Sequence, residues 1–413
     1  MSTCYFSPKT VICNRFHARW VLPITSAPIK DGWVEIVDGL VTAVGTSKSV
    51  CSSVFSGVDL GEAVIMPGVV NAHTHLELSG LRGSIPRAAS MPEWVRAVMS
   101  ARRSLSSPSG GRLSDAASEC QGSGTVLVGD IANTLESLDT FLAGSIEATL
   151  FHEFLGFDVE ADEAETLIEP SARHISERVN GRVQVRAAAH APYSVSAELF
   201  RAIGRLPGPR SVHLAESEEE VEFLMSGQGP WRDILEERGR MSCEWVPPRV
   251  RPVDYLESVG WLREDTIVVH GVQLIDDEID RLVEAGSTLV VCPRSNDWTG
   301  AGVAPIAKCY ARGLRVAIGT DSLASAPDLN IFREMTEVRR LAPDVPASKI
   351  LQSATIVGAQ GLGRGRSHGA IEPGRRAALI RVELPMGISD VEEYLLSGIE
   401  STCIQWLEDI DVG

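Results

Sequence analysis

Apolar residues along this chain fall into two successive patterns. In the first 60 residues they form short runs: 33–37 and 41–44 flank Asp38-Gly39, which predicts a β-hairpin. A similar fragment, 378–382, follows the turn residues Glu372-Pro373-Gly374. Strand-rich pieces at both ends predict one small β domain assembled from residues 1–62 and 363–413. Between them, over 63–362, short apolar runs alternate with helical patterns, the mark of βαβ units. Eight runs read as strands: 64–72, 125–131, 148–154, 183–189, 211–215, 266–269, 288–292 and 315–320. They are β-branched or apolar, as strands buried on both faces are. Helical stretches such as 161–179, 197–205, 276–285 and 331–341 separate them. No G-x-G-x-x-G follows the first strand, so the prediction is an α/β fold with a closed (β/α)₈ TIM-type barrel rather than an open dinucleotide-binding sheet. Residues 217–265 form a long insertion after the fifth strand. Its Trp231, Trp245 and Pro247-Pro248 predict an ordered loop or short helices near the barrel mouth.

Composition narrows the class. A chain of 413 residues suits one barrel of about 250 residues or more plus a smaller appended domain. Lys and Arg total 38 against 55 Asp and Glu, a formal net charge of −17, which argues against a nucleic-acid binder. It leaves room for a small anionic substrate held by a local arginine. Residues 1–21 lack the pattern of a secretory signal, and no run of 18 apolar residues exists, so the expectation is a cytoplasmic protein without a membrane partner. Eight scattered cysteines contain no C-x-x-C pair and read as free or buried thiols.

The chemistry gathers at the ends of the predicted strands, where such barrels place their active sites. Strand one ends in His73-Thr74-His75, strand four in His190, strand five in His213, strand six in His270 and strand eight in Asp321; five of the nine histidines thus share one face. His73 and His75 alternate along an extended segment and point to one side. Joined by His213 and Asp321, they offer three neutral nitrogens and one carboxylate, a set for one divalent ion with a position left for water. Zn²⁺ is the expected ion, and Fe²⁺ fits the same ligands. A buried histidine bonded to backbone is the plainer reading of His213, and a helix N-cap that of Asp321; their shared place at strand ends favours the ligand reading. Glu216, where the fifth strand leaves the barrel, is the expected proton shuttle. Glu218, Glu219 and Glu220 read as a solvated helix start favoured by the helix dipole. His270 is expected to contact the water held by the ion, and His190 to contact substrate. No lysine lies between Lys48 and Lys308, so strands one to seven cannot supply a carbamylated lysine to bridge two metals. Glu153, at the end of strand three, could bridge a second ion in principle, yet one metal is the expectation.

These residues sit in recognisable motifs: Met66-Pro-Gly-Val-Val-Asn-Ala-His-Thr-His75, His213-Leu-Ala-Glu216, Val269-His-Gly271, Cys292-Pro-Arg-Ser-Asn296 and Gly319-Thr-Asp-Ser322. Along nearly its whole length the chain resembles the amidohydrolase superfamily, in its branch of nucleoside and nucleobase deaminases and chlorohydrolases. The resemblance implies His73, His75, His213 and Asp321 as metal ligands, Glu216 as acid/base and His270 as the histidine that orients the attacking hydroxide. It also implies the composite β domain. Within the branch the chain is most similar to aminodeoxyfutalosine deaminases of the alternative menaquinone pathway. That similarity is carried by Leu76-Glu-Leu-Ser-Gly-Leu-Arg-Gly83, Phe151-His-Glu-Phe-Leu-Gly156, Gly229-Pro-Trp-Arg232 and Pro252-Val-Asp-Tyr-Leu256. Arg376-Ala-Ala-Leu379 departs from the family's usual aspartate before leucine, and Asp297-Trp298-Thr299 from its commoner apolar ending; the latter bears on substrate preference.

The implied reaction replaces the 6-amino group of a purine-like nucleoside with oxygen and releases ammonia, with Asp321 taking the water's proton and Glu216 protonating the ring. Deamination of adenosylhomocysteine or methylthioadenosine, or dechlorination of a triazine, would use the same site; a metal-binding scaffold is the non-enzymatic alternative. Trp94 reads equally as a wall against the base or ribose and as a helix-face core residue. Arg82, Arg87 and Arg294 are candidates for a substrate carboxylate, and each also reads as an ordinary surface or structural arginine. A homo-oligomer is left open.

Overall fold

The computed structural model describes residues 13–46, 57–105, 109, 111–177, 181–242 and 244–410. The chain opens with β1 (Cys13–Val21), β2 (Ile29–Val37) and β3 (Leu40–Thr46), an antiparallel meander. The turn between β2 and β3 puts both Asp38 (φ 49°) and Gly39 (φ 77°) in the left-handed region, as a two-residue hairpin turn matched to strand twist requires. β4 (Gly57–Asp59) and β5 (Ala63–Pro67) then run parallel to β1.

The barrel follows as β6 (Val69–Thr74), β7 (Thr125–Ala132), β8 (Glu147–Phe154), β9 (Val183–Ala189), β10 (Arg210–Leu214), β11 (Thr266–His270), β12 (Thr288–Val291) and β13 (Arg315–Ile318). Consecutive strands pair in parallel from β6 to β13. The circle closes where Thr74 bridges Asp321 and where the amides of Thr320 and Asp321 both donate to the His73 carbonyl at 3.1 Å. Asn71 adds a clamp: its Nδ2 donates to Thr320 Oγ1 at 2.7 Å. The expected (β/α)₈ barrel with an accompanying β domain is therefore what the chain forms. β14 (Leu379–Glu383) and β15 (Ile404–Trp406) return to the first sheet, β14 pairing antiparallel with β5.

One expected strand is two. The apolar run 64–72 is divided at Gly68 between β5, in the terminal sheet, and β6, in the barrel. Every residue of both strands is buried, so hydropathy alone shows no break. Gly68 allows the crossing because a Cβ there would lie 2.9 Å from Val126 Cβ. The helices Ala161–Glu177, Ala197–Gly204, Asp276–Ala285 and Ile331–Leu341 match the predicted pattern, with residues 178 and 179 outside the described set. Among its described residues the insertion forms three short helices, Glu218–Ser226, Pro230–Glu237 and Pro252–Ser258. Trp231 stacks on Tyr193 at 4.0 Å, and Trp245, stacked on Phe223 of the same insertion at 4.9 Å, meets Phe157 at 5.2 Å, so Tyr193 and Phe157 fasten the insertion to the loops around the mouth. Among the described residues, no helix is long and apolar enough to cross a membrane.

Gly319 marks where the barrel seam and the chemistry meet. A Cβ there would stand 2.7 Å from the His73 carbonyl oxygen and 2.8 Å from the His73 Cβ. Gly319→Ala is expected to push His73 aside and to destabilise the fold by about 1–3 kcal/mol, as overpacking does. A thermal melt against wild type checks it, and an unchanged midpoint would disprove the constraint.

Candidate active site

The C-terminal ends of β6, β9, β10 and β11, with the residue closing the seam after β13, converge on one point. His73 and His75 project from the end of β6 with ring centroids 4.9 Å apart, and the His213 ring lies 5.0 Å from His73 and 5.3 Å from His75. His75 Nε2 stands 3.3 Å from His213 Nε2. Asp321 Oδ1 stands 3.8 Å from His73 Nε2 and 3.6 Å from His75 Nε2. Donor atoms held about 2.1 Å from one tetrahedral ion are about 3.4 Å from each other, so these spacings suit a shared divalent cation. His73 is wholly buried, and among the described residues neither of its ring nitrogens has a hydrogen-bond partner. An unpartnered buried imidazole is costly, and a cation at the centre of the cluster would relieve that cost.

The surrounding bonds aim the donors inward. His213 Nδ1 donates to the His190 carbonyl at 2.9 Å, which leaves the lone pair of Nε2 facing His75. Asp321 Oδ2 accepts hydrogen bonds from Ser295 Oγ at 2.5 Å and Ser325 Oγ at 3.0 Å, so Oδ1 is the oxygen turned toward the imidazoles. Ser295 lies in the Cys292–Asn296 motif and Ser325 just beyond Ser322, but their bond to Asp321 had no signal in spacing. Asn296 does a similar service: His270 Nδ1 donates to its Oδ1 at 2.8 Å, leaving His270 Nε2 3.5 Å from Glu216 Oε1.

Backbone strain clusters here as well. Ala215, His270 and Asp321 take positive φ angles of 51°, 72° and 57°, a conformation rare outside glycine and found where a site over-determines its geometry. Glu220 helps to hold the first of these turns. Sequence reading placed Glu220 in a solvated helix start. It is instead fully buried, accepting from the Ala215 and Glu216 amides, each at 2.9 Å. Its periodicity on the helix is ambiguous because four-residue spacing fits a solvent face and an inward cap equally.

Burial sets the charge states. It holds the His73 imidazole well below its ordinary value and brings both His75 and His213 down to about 3, with repulsion from neighbouring imidazoles adding to it. These rings are neutral at pH 7, the state that ligates metal. Burial pushes the Glu216 carboxyl well above the usual range, and the nearby Asp321 charge pushes it further. Glu216 is thus a buried acid able to hold a proton at neutral pH.

His190 and Trp94 stand around this centre. The His190 ring lies 5.0 Å from that of His213, with its Nδ1 2.6 Å from Ser194 Oγ. Trp94 sits in an apolar cluster with Leu81, Ile85, Tyr193 and Trp231, its Nε1 3.5 Å from the Ala324 carbonyl. Core residue and substrate wall are both compatible with that position. Glu153 Oε1 lies 3.5 Å from His213 Nδ1, and Glu153, His190 and His213 form a second group of metal-ligating type. His213 Nδ1 is already engaged by the His190 carbonyl, so this group competes poorly with the one around Asp321. In the Asp297-Trp298-Thr299 departure, Asp297 pairs with Arg87 and Trp298 Nε1 donates to the Ile85 carbonyl at 3.1 Å, tying this loop to the one after β6.

Residues 64–405 match the model of the amidohydrolase family. The chain belongs to that family, as its motifs led one to expect. It is 30% identical over 377 residues to the 5-methylthioadenosine/S-adenosylhomocysteine deaminase of Nitratidesulfovibrio vulgaris, covering 86% of this chain and 80% of the relative. It is 31% identical over 321 residues to the aminodeoxyfutalosine deaminase of Deinococcus radiodurans, 74% of either chain. Among solved structures, an adenosine deaminase from Xanthomonas campestris with bound zinc superposes with a TM-score of 0.80 at 25% identity, over 95% of this chain and 90% of that one.

Proposed function

We propose that this hydrolytic deaminase of the amidohydrolase family replaces the 6-amino group of a purine-type nucleoside with oxygen, and that aminodeoxyfutalosine, of the alternative menaquinone pathway, is its substrate. The observation that carries the reaction type is Glu216: a buried carboxyl, 3.5 Å from His270, beside a cluster of neutral imidazoles and one carboxylate. A metal-binding scaffold has no use for such an acid.

His73, His75, His213 and Asp321 would hold one divalent ion, zinc in this reading, with Fe²⁺ fitting the same donors. Bound there, the ion would make an attacking water acidic enough to ionise near neutral pH. Asp321 Oδ1 takes the proton from the attacking water, since Oδ2 is engaged by two serine hydroxyls. His270 Nε2 accepts a hydrogen bond from that water and keeps its oxygen in line, its ring fixed by Asn296. Glu216 gives its proton to the ring nitrogen beside C6, which makes that carbon electrophilic. The Glu216 carboxylate so formed takes the proton of the added hydroxyl as the C–O double bond forms and passes it to the departing amine, so that ammonia leaves rather than amide ion. The proton held by Asp321 restores Glu216 for the next turnover. His190 contacts the bound base, and Trp94 forms part of the wall around it.

Methylthioadenosine or adenosylhomocysteine is the second reading, favoured by the longer match, 86% of the chain, to a deaminase of those nucleosides. The test is ammonia release by zinc-loaded protein from aminodeoxyfutalosine, methylthioadenosine, adenosylhomocysteine and adenosine. Aminodeoxyfutalosine is expected to give the highest kcat/KM, and a chelator to abolish turnover until zinc is restored. Release from none of the four would remove the proposal.

A further inference from the structure

Two helices that follow barrel strands carry a glutamate at the third position of their first turn, and they use it differently. In the helix Asp276–Ala285, Glu278 reaches the ordinary target: its carboxylate accepts from the amide of Ile275, the residue just before the helix, at 3.1 Å. The helix Glu218–Ser226 is preceded by Ser217, whose Oγ accepts from the Glu220 amide at 3.2 Å, one half of the same arrangement. The Glu220 carboxylate reaches further back along the chain. Its Oε1 accepts from the Ala215 amide and its Oε2 from the Glu216 amide, each at 2.9 Å. It grips the strand end that carries the buried acid.

The grip falls on a strained residue. Ala215 holds φ 51°, a conformation that a Cβ disfavours, so the turn persists only if its peptide groups are fixed. Both are. Glu220 takes the Ala215 N–H, and the Ala215 carbonyl accepts from the Gln273 amide at 2.7 Å. The second Glu220 bond lies on the backbone of Glu216 itself. Gln273 stands three residues beyond His270, so the same turn sets where Glu216 Oε1 lies against His270 Nε2, 3.5 Å away. His213 is anchored separately, its amide and its Nδ1 both donating to the His190 carbonyl at 2.9 Å. Glu220 thus bears on the proton carrier more than on the donors for the ion.

We propose that Glu220 is a positioning residue for the reaction: through the amides of Ala215 and Glu216 it holds the Glu216 carboxyl in line with the purine ring nitrogen. The inference rests on the acid/base role given to Glu216 above. Misplacing a reacting group by about 1 Å costs on the order of 10²-fold in rate, so a carboxylate four residues further along the chain governs turnover.

Glu220→Gln keeps the side chain's shape but accepts through one atom only, so one of the two amides loses its partner. In zinc-loaded protein with aminodeoxyfutalosine, kcat is expected to fall by about tenfold to a hundredfold, with KM and one zinc per chain unchanged. In a Glu216→Gln background the same change should cost less than about twofold, since the group it places is gone. A purely structural role would cost the same factor in both backgrounds. That result, full kcat in Glu220→Gln, or a loss carried by KM overturns the proposal. If Glu220→Gln does not fold, Ser217→Ala frees the Glu220 amide instead and should show the same pattern at about threefold, the effect of one weak hydrogen bond. Kd of coformycin, a mimic of the tetrahedral adduct, is measured on the same variants and should follow kcat. Full turnover by Glu216→Gln would remove the acid/base reading and this inference with it. If the nucleoside is not deaminated while coformycin affinity shows the non-additive pattern, Glu220 keeps its positioning role and the deaminase reading falls.

Discussion

Glu216→Gln is expected to lower kcat by about 10²–10⁴-fold, the usual share of a general acid–base group. The substitution keeps the volume of a side chain that is only 2% exposed, so packing is retained. It removes an ionisable group that burial already disfavours in its charged form, so the thermal midpoint should stay level or rise. Metal content should remain one ion per chain, because Glu216 faces His270 rather than the imidazoles of His73 and His75. Ammonia release, metal analysis and a melt on one preparation check all three. Full turnover with metal in place would show that the proton comes from elsewhere.

Asp321→Asn tests the other half of the site. Asparagine tolerates the left-handed backbone at this position (φ 57°) and preserves the side chain's shape, so the barrel should close as before. What changes is charge: the carboxylate 3.6 Å from His75 Nε2 and 3.8 Å from His73 Nε2 is lost, leaving three neutral imidazoles around the cation position. Metal affinity should fall by more than about 100-fold, the upper end of what losing an outer hydrogen-bond partner costs. Turnover should fall by at least about 10²–10⁴-fold even at saturating zinc, because the acceptor of the water's proton is gone as well. Wild-type zinc affinity in this variant would remove Asp321 from the ligand set.

Much of this was legible in the sequence, for identifiable reasons. Strand-end positions expose side chains at the barrel mouth, so His73, His75, His190, His213, His270 and Asp321 could be placed on one face from strand boundaries alone. The helices were legible because their 3.6-residue period survives burial on one side. The division of 64–72 was not, since β5 and β6 are both fully buried and the only break is a single glycine. Glu220 was misplaced for a related reason. An acid in the first turn of a helix serves the dipole whether it faces water or, as here, turns back to cap the amides of Ala215 and Glu216. Ser295, Ser325 and Asn296 were invisible as partners of Asp321 and His270, because hydroxyls and amides occur everywhere and only proximity gives them a role.

The sequence by itself determined the candidate donors, their order along the barrel and the family to which the chain belongs, since residue type and strand order follow from local pattern. Only the tertiary structure decided which nitrogen of His213 faces the centre and which oxygen of Asp321 is turned toward the imidazoles. Those choices depend on contacts between residues as far apart as 71 and 320, or 270 and 296, and hydrogen bonds formed across such separations leave no periodicity in the chain that makes them.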